Sequence, residues 1–128
     1  MKIVGIGVDI IQNSRIKKAI KNKSFVNRIF TKSEISSSKI GNYKTNYFAK
    51  RFAAKEAFVK SIGTGIRKNI NFKDIYVIND KSGKPYIKFS NKVNNLIVNK
   101  FKTRNFDIFL SLSDEKNYSI AFVLIQKK

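Results

Sequence analysis

Apolar residues along the chain change their spacing from segment to segment, and the spacing predicts the elements. Residues 2–11 are apolar on both alternating faces, the pattern of a strand covered on each side, so a central strand is expected. Gly5 and Gly7 share a face with Asp9 because side chains alternate along a strand, which predicts an open, side-chain-poor surface beside a carboxylate. The third glycine of a dinucleotide fingerprint is missing, since Ile10 takes its place. Asn13 or Ser14 is a candidate cap for a short basic helix running to about Lys23, and residues 24–30 suit a further turn or two. Thr31-Lys32-Ser33-Glu34 has the form of a capping box, and the polar residues 36–45, with Gly41, read as a loop.

The strongest helical pattern covers residues 45–62. Phe48, Phe52, Ala53 and Val59, with Ala49 and Ile62, form an apolar stripe at helical spacing, and Gly63 is placed as its stop. A strand is expected over residues 75–79, a turn at Asp80-Lys81-Ser82-Gly83, and a strand from Pro85 to about Phe89. Residues 91–101 suit a helix with Val93, Leu96, Ile97 and Phe101 inward. Two last strands, 106–113 and 118–125, flank a turn at residues 113–117. The class is α+β, an antiparallel-rich sheet packed on one long helix.

Composition narrows the chemistry. The 128 residues suit one domain, 1–128, with no repeat or linker. Cysteine and histidine are both absent, which excludes disulfides, thiolate metal sites, a Cys nucleophile and the usual imidazole base. Chemistry must therefore run on carboxylates, lysines, hydroxyls, backbone groups or a hard metal ion. No segment approaches the ~20 apolar residues of a membrane span, and Asp9 interrupts the apolar start that could pass for a signal peptide. A cytoplasmic protein without a membrane partner is expected. The net charge of +19 implies a polyanionic partner, although the lysines are spread evenly and their excess, with that of Asn and Ile, equally fits drift toward A/T-rich codons.

Only eight acidic residues exist, so their placement matters. Asp9 in an apolar strand is either a carboxylate satisfied by backbone N–H groups or a metal ligand, since burial without a partner is costly. Glu56 and Lys60 lie four residues apart on one helical face, the spacing of an exposed ion pair. Together the three suit a Mg²⁺–diphosphate site: two hard carboxylates for the metal and a lysine for residual phosphate charge. Gly63-Thr64-Gly65 is either a plain helix stop or a turn offering N–H groups to phosphate. Ser111 and Ser113 lack the context of activated nucleophiles, and the Phe48/Phe52 pattern is that of core residues rather than base-stacking platforms.

Four segments in order across the chain carry a resemblance: Gly5-Ile6-Gly7-Val8-Asp9-Ile10-Ile11 with Arg15-Ile16; the long Arg51-Phe52-Ala53-Ala54-Lys55-Glu56-Ala57-Phe58-Val59-Lys60-Ser61-Ile62-Gly63-Thr64-Gly65-Ile66; Gly83-Lys84-Pro85-Tyr86; and residues 110–115 followed by Tyr118 and Ala121. In these the chain resembles the bacterial holo-acyl-carrier-protein synthases, the small single-domain branch of the 4′-phosphopantetheinyl transferases. The resemblance implies Mg²⁺-dependent transfer of phosphopantetheine from coenzyme A to a serine of apo acyl carrier protein, releasing 3′,5′-ADP, in fatty acid biosynthesis. It implies Asp9 and Glu56 as metal ligands and Lys60 on a phosphate. Lys44, Arg51 and Lys55 would meet the nucleotide end, Gly63 would lie beside the coenzyme, and Arg15 would meet the acidic carrier. It also implies a homotrimer with sites between subunits. Asp114 stands where the family commonly has His, beside the coenzyme's phosphates; it either repels them, turns outward or pairs with a lysine. The proton of the serine would go to Glu56, a metal-ordered water or Asp114. A non-catalytic basic RNA-binding domain is the competing reading, although no nucleic-acid module signature is present.

Overall fold

A computed structural model of the chain describes residues 1–38, 44–63 and 69–128. In order these form β1 (Lys2–Gln12), α1 (Asn13–Ala19), α2 (Lys23–Ile29), α3 (Lys32–Ser37), α4 (Lys44–Ile62), a 3-10 turn (Phe72–Asp74), β2 (Ile75–Asn79), β3 (Pro85–Phe89), α5 (Asn91–Phe101), β4 (Phe106–Asp114) and β5 (Tyr118–Lys127). The fold is α+β, as expected, but its strands divide into two antiparallel sheets: β1-β5-β4 and a separate β2-β3 hairpin.

β1 is an edge strand rather than a central one. Its inner face, with Gly5, Gly7 and Ile11, is buried, but Ile6, Val8 and Ile10 on the other face are more than half exposed. The middle strand is β5, which presents Ala121, Val123 and Ile125 inward and Tyr118, Ile120 and Phe122 outward. An apolar outer sheet face results, extended by Phe109 of β4.

α4 covers the inner face of β1 and β5. Of its expected stripe, Phe48, Ala49, Ala53 and Ile62 are buried and Phe52 and Val59 only partly so, while Ala54, Ala57 and Phe58 are buried as well. The helix approaches so closely that a Cβ on Gly5 would strike the Ser61 carbonyl oxygen and one on Gly7 the Ala57 carbonyl oxygen. The surface beside Asp9 is therefore not open: the helix backbone fills the space that the two missing side chains leave.

Local signals fix the remaining ends. Thr31 and Glu34 form the capping box, Thr31 N–H donating to Glu34 Oε1 at 3.0 Å and Glu34 N–H to Thr31 Oγ1 at 3.3 Å. α1 departs from expectation: Gln12 occupies its cap position without a side-chain bond, and Asn13 is buried inside the first turn with its amide engaged elsewhere. Asn22 and Ser90 cap α2 and α5. Gly83 (φ +88°) turns the β2–β3 hairpin, where only a residue without Cβ adopts that backbone freely. Among the described residues no helix is long and apolar enough to cross a membrane.

Candidate active site

Asp9 leaves the inner face of β1 one residue pair beyond Gly7, at the seam with α4. The Lys60 ammonium spans that seam, donating to Asp9 Oδ1 at 3.1 Å and to the Val8 carbonyl at 3.0 Å. The Asp9 side chain is 16% exposed and that of Lys60 55%, so the pair opens to solvent on the lysine side. Glu56 is half-buried one helical turn before Lys60. Strand and helix thus place the three residues that the spacing singled out along one seam, and the backbone contact at Gly5 and Gly7 sets its width. Asp9 keeps a cation beside it, and the oxygens of Asp9 and Glu56 are the hard donors that a divalent cation takes.

Lys55 is placed otherwise. Its side chain is wholly buried, donating to Glu34 Oε1 at 2.7 Å and to the Ile29 carbonyl at 2.7 Å. The other Glu34 oxygen, Oε2, accepts from Val77 N–H at 3.0 Å. Desolvation holds the Lys55 ammonium below its usual lysine range, and the Glu34 carboxylate opposes that shift. A nucleotide cannot reach this ammonium, so the expectation that Lys55 meets the coenzyme is corrected: it closes a core ion pair joining α2, α3, α4 and β2.

Arg51 is also buried. Its guanidinium lies over the Tyr47 ring at 3.6 Å and donates to Asn79 Oδ1 at 3.2 Å, tying α4 to the β2–β3 hairpin. Burial lowers its pKa and raises that of Tyr47. Among the described residues its Nε–H alone is a buried side-chain polar atom without a partner. Lys44 is exposed at the start of α4, and Arg15 is exposed on α1 beside Lys17 and Lys18. Gly63 (φ +111°) ends α4, and the Lys100 ammonium lies 3.4 Å from where its Cβ would stand. The rest of the Gly63-Thr64-Gly65 turn lies outside the described residues. Asp114 has the third of its expected arrangements: it pairs with Lys50 at 3.3 Å and accepts from Asn46 Nδ2 at 2.7 Å.

Glu34, Asn13, Asn46 and Lys50 hold the site region together; the sequence marks Glu34 and Asn13 only as capping residues, and neither Asn46 nor Lys50 as a site residue. For Lys50 and Asn46 the only visible signal is their i, i+4 spacing on one face of α4. Their partners lie more than sixty residues away, where no local pattern points. Among the described residues no group of three or more acidic or sulfur or imidazole side chains could hold a metal alone.

The comparisons with known proteins converge. A family model described as the 4′-phosphopantetheinyl transferase superfamily matches residues 5–123. A holo-[acyl-carrier-protein] synthase of Pelagibacter ubique is 55% identical over 128 residues, covering 100% of both chains. One from Clostridium botulinum is 42% identical, covering 97% of this chain and 98% of its own. Among solved structures, a holo-(acyl-carrier-protein) synthase of Bacillus anthracis in complex with CoA (3′,5′-ADP) superposes with a TM-score of 0.80 at 38% identity, covering 100% of both chains. That of Neisseria meningitidis gives 0.85 at 38% identity, covering 98% of this chain and 99% of its own. This chain, an enzyme, belongs to the 4′-phosphopantetheinyl transferase superfamily and within it to the bacterial holo-acyl-carrier-protein synthases.

Proposed function

We propose that this chain transfers 4′-phosphopantetheine from coenzyme A to a serine hydroxyl of an acidic apo acyl carrier protein, with Mg²⁺, and releases 3′,5′-ADP. The observation that carries the reading is the Asp9–Lys60 pair at the β1–α4 seam, with Glu56 one turn away. Two hard carboxylates suit Mg²⁺, which typically takes one or two protein carboxylates and fills its sphere with phosphate oxygen and water. Asp9 and Glu56 would hold the ion, and when bound it supplies charge neutralisation on the diphosphate.

The serine oxygen attacks the β-phosphorus, the bond from that phosphorus to the departing 3′,5′-ADP oxygen breaks, and the serine proton leaves through a water oriented by Glu56. Lys60, more than half exposed, exchanges part of its contact with Asp9 for a phosphate oxygen and so follows the charge as it moves. Gly63 leaves room for the coenzyme beside the helix end, with no Cβ in the way. Lys44, exposed at the start of α4, provides charge for the nucleotide end, and the buried Arg51 holds α4 against the β2–β3 hairpin. Asp114, neutralised by Lys50, adds little repulsion. The exposed Arg15, with Lys17 and Lys18, offers the acidic carrier a cationic face. The outer sheet face of Ile6, Val8, Ile10, Phe109, Ile120 and Phe122 supports a homotrimer, since apolar patches of this kind mark interfaces.

The test is mass spectrometry of an apo carrier protein incubated with the chain, coenzyme A and Mg²⁺. A gain of one phosphopantetheine, abolished by a chelator and reduced ~10²-fold or more in Asp9→Ala and Glu56→Ala, is expected. No gain with several carriers would overturn the reading and turn attention to RNA. Near-normal turnover in either variant would overturn the metal assignment.

A further inference from the structure

Three elements meet where β1 ends: the first residue of α1, the first turns of α4 and the β4–β5 turn. Asn13, at 4% exposure, uses its whole amide there. Nδ2 donates to the Glu115 carbonyl at 2.9 Å and the Lys116 carbonyl at 3.1 Å, while Oδ1 accepts from Ser119 Oγ at 2.6 Å. The Asn13 backbone N–H donates to the Asn117 carbonyl at 2.8 Å. From the opposite side Asn46 Nδ2 donates to the same Glu115 carbonyl at 3.3 Å and to Asp114 Oδ2 at 2.7 Å. Two asparagines from different elements converge on one carbonyl oxygen.

Burial alone does not explain an amide here. An apolar side chain of similar size would bury as much surface without desolvating polar atoms. What the amide adds is direction, because each of its bonds fixes an angle between α1 and the turn. The elements so fixed are the ones that matter for the site. Asn13 comes four residues after Asp9, just past the end of β1, and opens the helix bearing Arg15. Asn46 and Lys50 precede Glu56 on α4.

We propose that Asn13 is a positioning residue: with Asn46 it clamps the β4–β5 turn, and the clamp fixes α1 relative to Asp9 and Glu56 so that a docked carrier serine is delivered in line with the phosphorus. The proposal rests on the transferase reading above and adds the residues that align its protein substrate. Misplacement of reactants by an ångström costs on the order of 10²-fold in rate, so a clamp distant from the chemistry has kinetic leverage. The residues assigned to the diphosphate, Asp9, Glu56 and Lys60, lie on β1 and α4 rather than on α1, so coenzyme A affinity serves as the internal control.

The experiment compares wild type with Asn13→Asp and Asn46→Ala in the full chain. Asn13→Asp keeps the volume but turns an N–H donor group toward the Glu115 and Lys116 carbonyls into an acceptor. Asn46→Ala removes a half-buried side chain that is not part of the core. We expect kcat/KM for the apo carrier to fall about tenfold or more in Asn13→Asp and about two- to fivefold in Asn46→Ala. The dissociation constant for coenzyme A, read by calorimetry, stays within about twofold in both. Parallel loss of carrier kinetics and coenzyme affinity would overturn the proposal in favour of general loosening, as would unchanged carrier kinetics in both variants. If Asn13→Asp does not fold, Asn46→Ala and Ser119→Ala decide by the same criteria. If wild type transfers nothing, the transferase reading is what has failed. The clamp is then read by amide hydrogen exchange: acceleration in Asn46→Ala confined to residues 13–19 and 115–118 supports it, and unchanged exchange there overturns it.

Discussion

Two lysines five residues apart on α4 each meet a carboxylate, and they have opposite roles. Lys55 and Glu34 touch at 2.7 Å with neither side chain exposed. Lys60 and Asp9 touch at 3.1 Å with the lysine more than half in solvent. Five helical residues turn the side chain by about 140°, so one lysine faces α2, α3 and β2 and the other faces the edge of β1. The buried pair has every oxygen of Glu34 engaged, by Lys55, Thr31 N–H and Val77 N–H, and nothing can exchange with it. The seam pair is held loosely enough for an incoming phosphate to compete. The same two residue types give a fixed joint where water is excluded and an exchangeable contact where it is not.

Breaking the two pairs separately sharpens the contrast. Lys55→Met leaves the Glu34 carboxylate buried without its cation, and removal of one partner of such a pair costs about 3–5 kcal/mol. Urea denaturation of Lys55→Met is expected to show that loss as a clearly lowered midpoint, since it is a large share of ordinary domain stability, ~5–15 kcal/mol. Lys60→Met is expected to leave the denaturation midpoint nearly unchanged, because exposed pairs contribute roughly 0–1 kcal/mol. Its turnover falls instead, by about 10²-fold, in the carrier-protein assay. A Lys60→Met protein that unfolds, or a Lys55→Met protein that is stable and merely inactive, would erase the distinction.

A smaller effect is expected from Gly7→Ala. The added methyl meets the Ala57 carbonyl, and α4 must move off β1. Overpacking of this kind typically costs about 1–3 kcal/mol. Turnover should fall further than stability does, because the seam between Asp9 and Glu56 widens with it. Thermal unfolding measured beside turnover separates the two. The smallest effect belongs to Asp80, away from both pairs. Ser82 Oγ and the N–H groups of Ser82 and Lys84 hold its carboxyl below the ordinary 3.8. A depressed carboxyl contributes stability above its unfolded value and loses it as pH falls through the folded one. Wild type and Asp80→Asn should therefore differ slightly at neutral pH and converge as pH drops below 3.8, followed by denaturation midpoints across that range.

Much of this was legible in the residues where the cause is local. The β2–β3 hairpin and α5 lie where the Asp80–Gly83 turn, Pro85 and the helical spacing after Ser90 place them. The capping box at Thr31 formed as read. Misreadings arose where the cause is distant. Glu34 shows its cap in four residues, but its partnership with Lys55 spans twenty-one. β1 is apolar on both faces, which signals cover on both, yet this chain covers only one. Asp9, Glu56 and Lys60 were visible as candidates. Lys55 sits in the same motif as Glu56, and motif membership carries no information about which way a helical side chain points.

The contact between Gly5, Gly7 and α4 is made by main-chain atoms on both sides. A spacing defined by side chains would change whenever one of them mutated. This one is written in carbonyls and α-carbons, which every substitution leaves in place. Surface positions can therefore be exchanged, for lysine or any other residue, while the gap between strand and helix stays constant. Beside the residues that carry the chemistry and the buried ion pair, Gly5 and Gly7 are closed to change as well, and there the smallest possible addition, a single methyl group, is enough to matter.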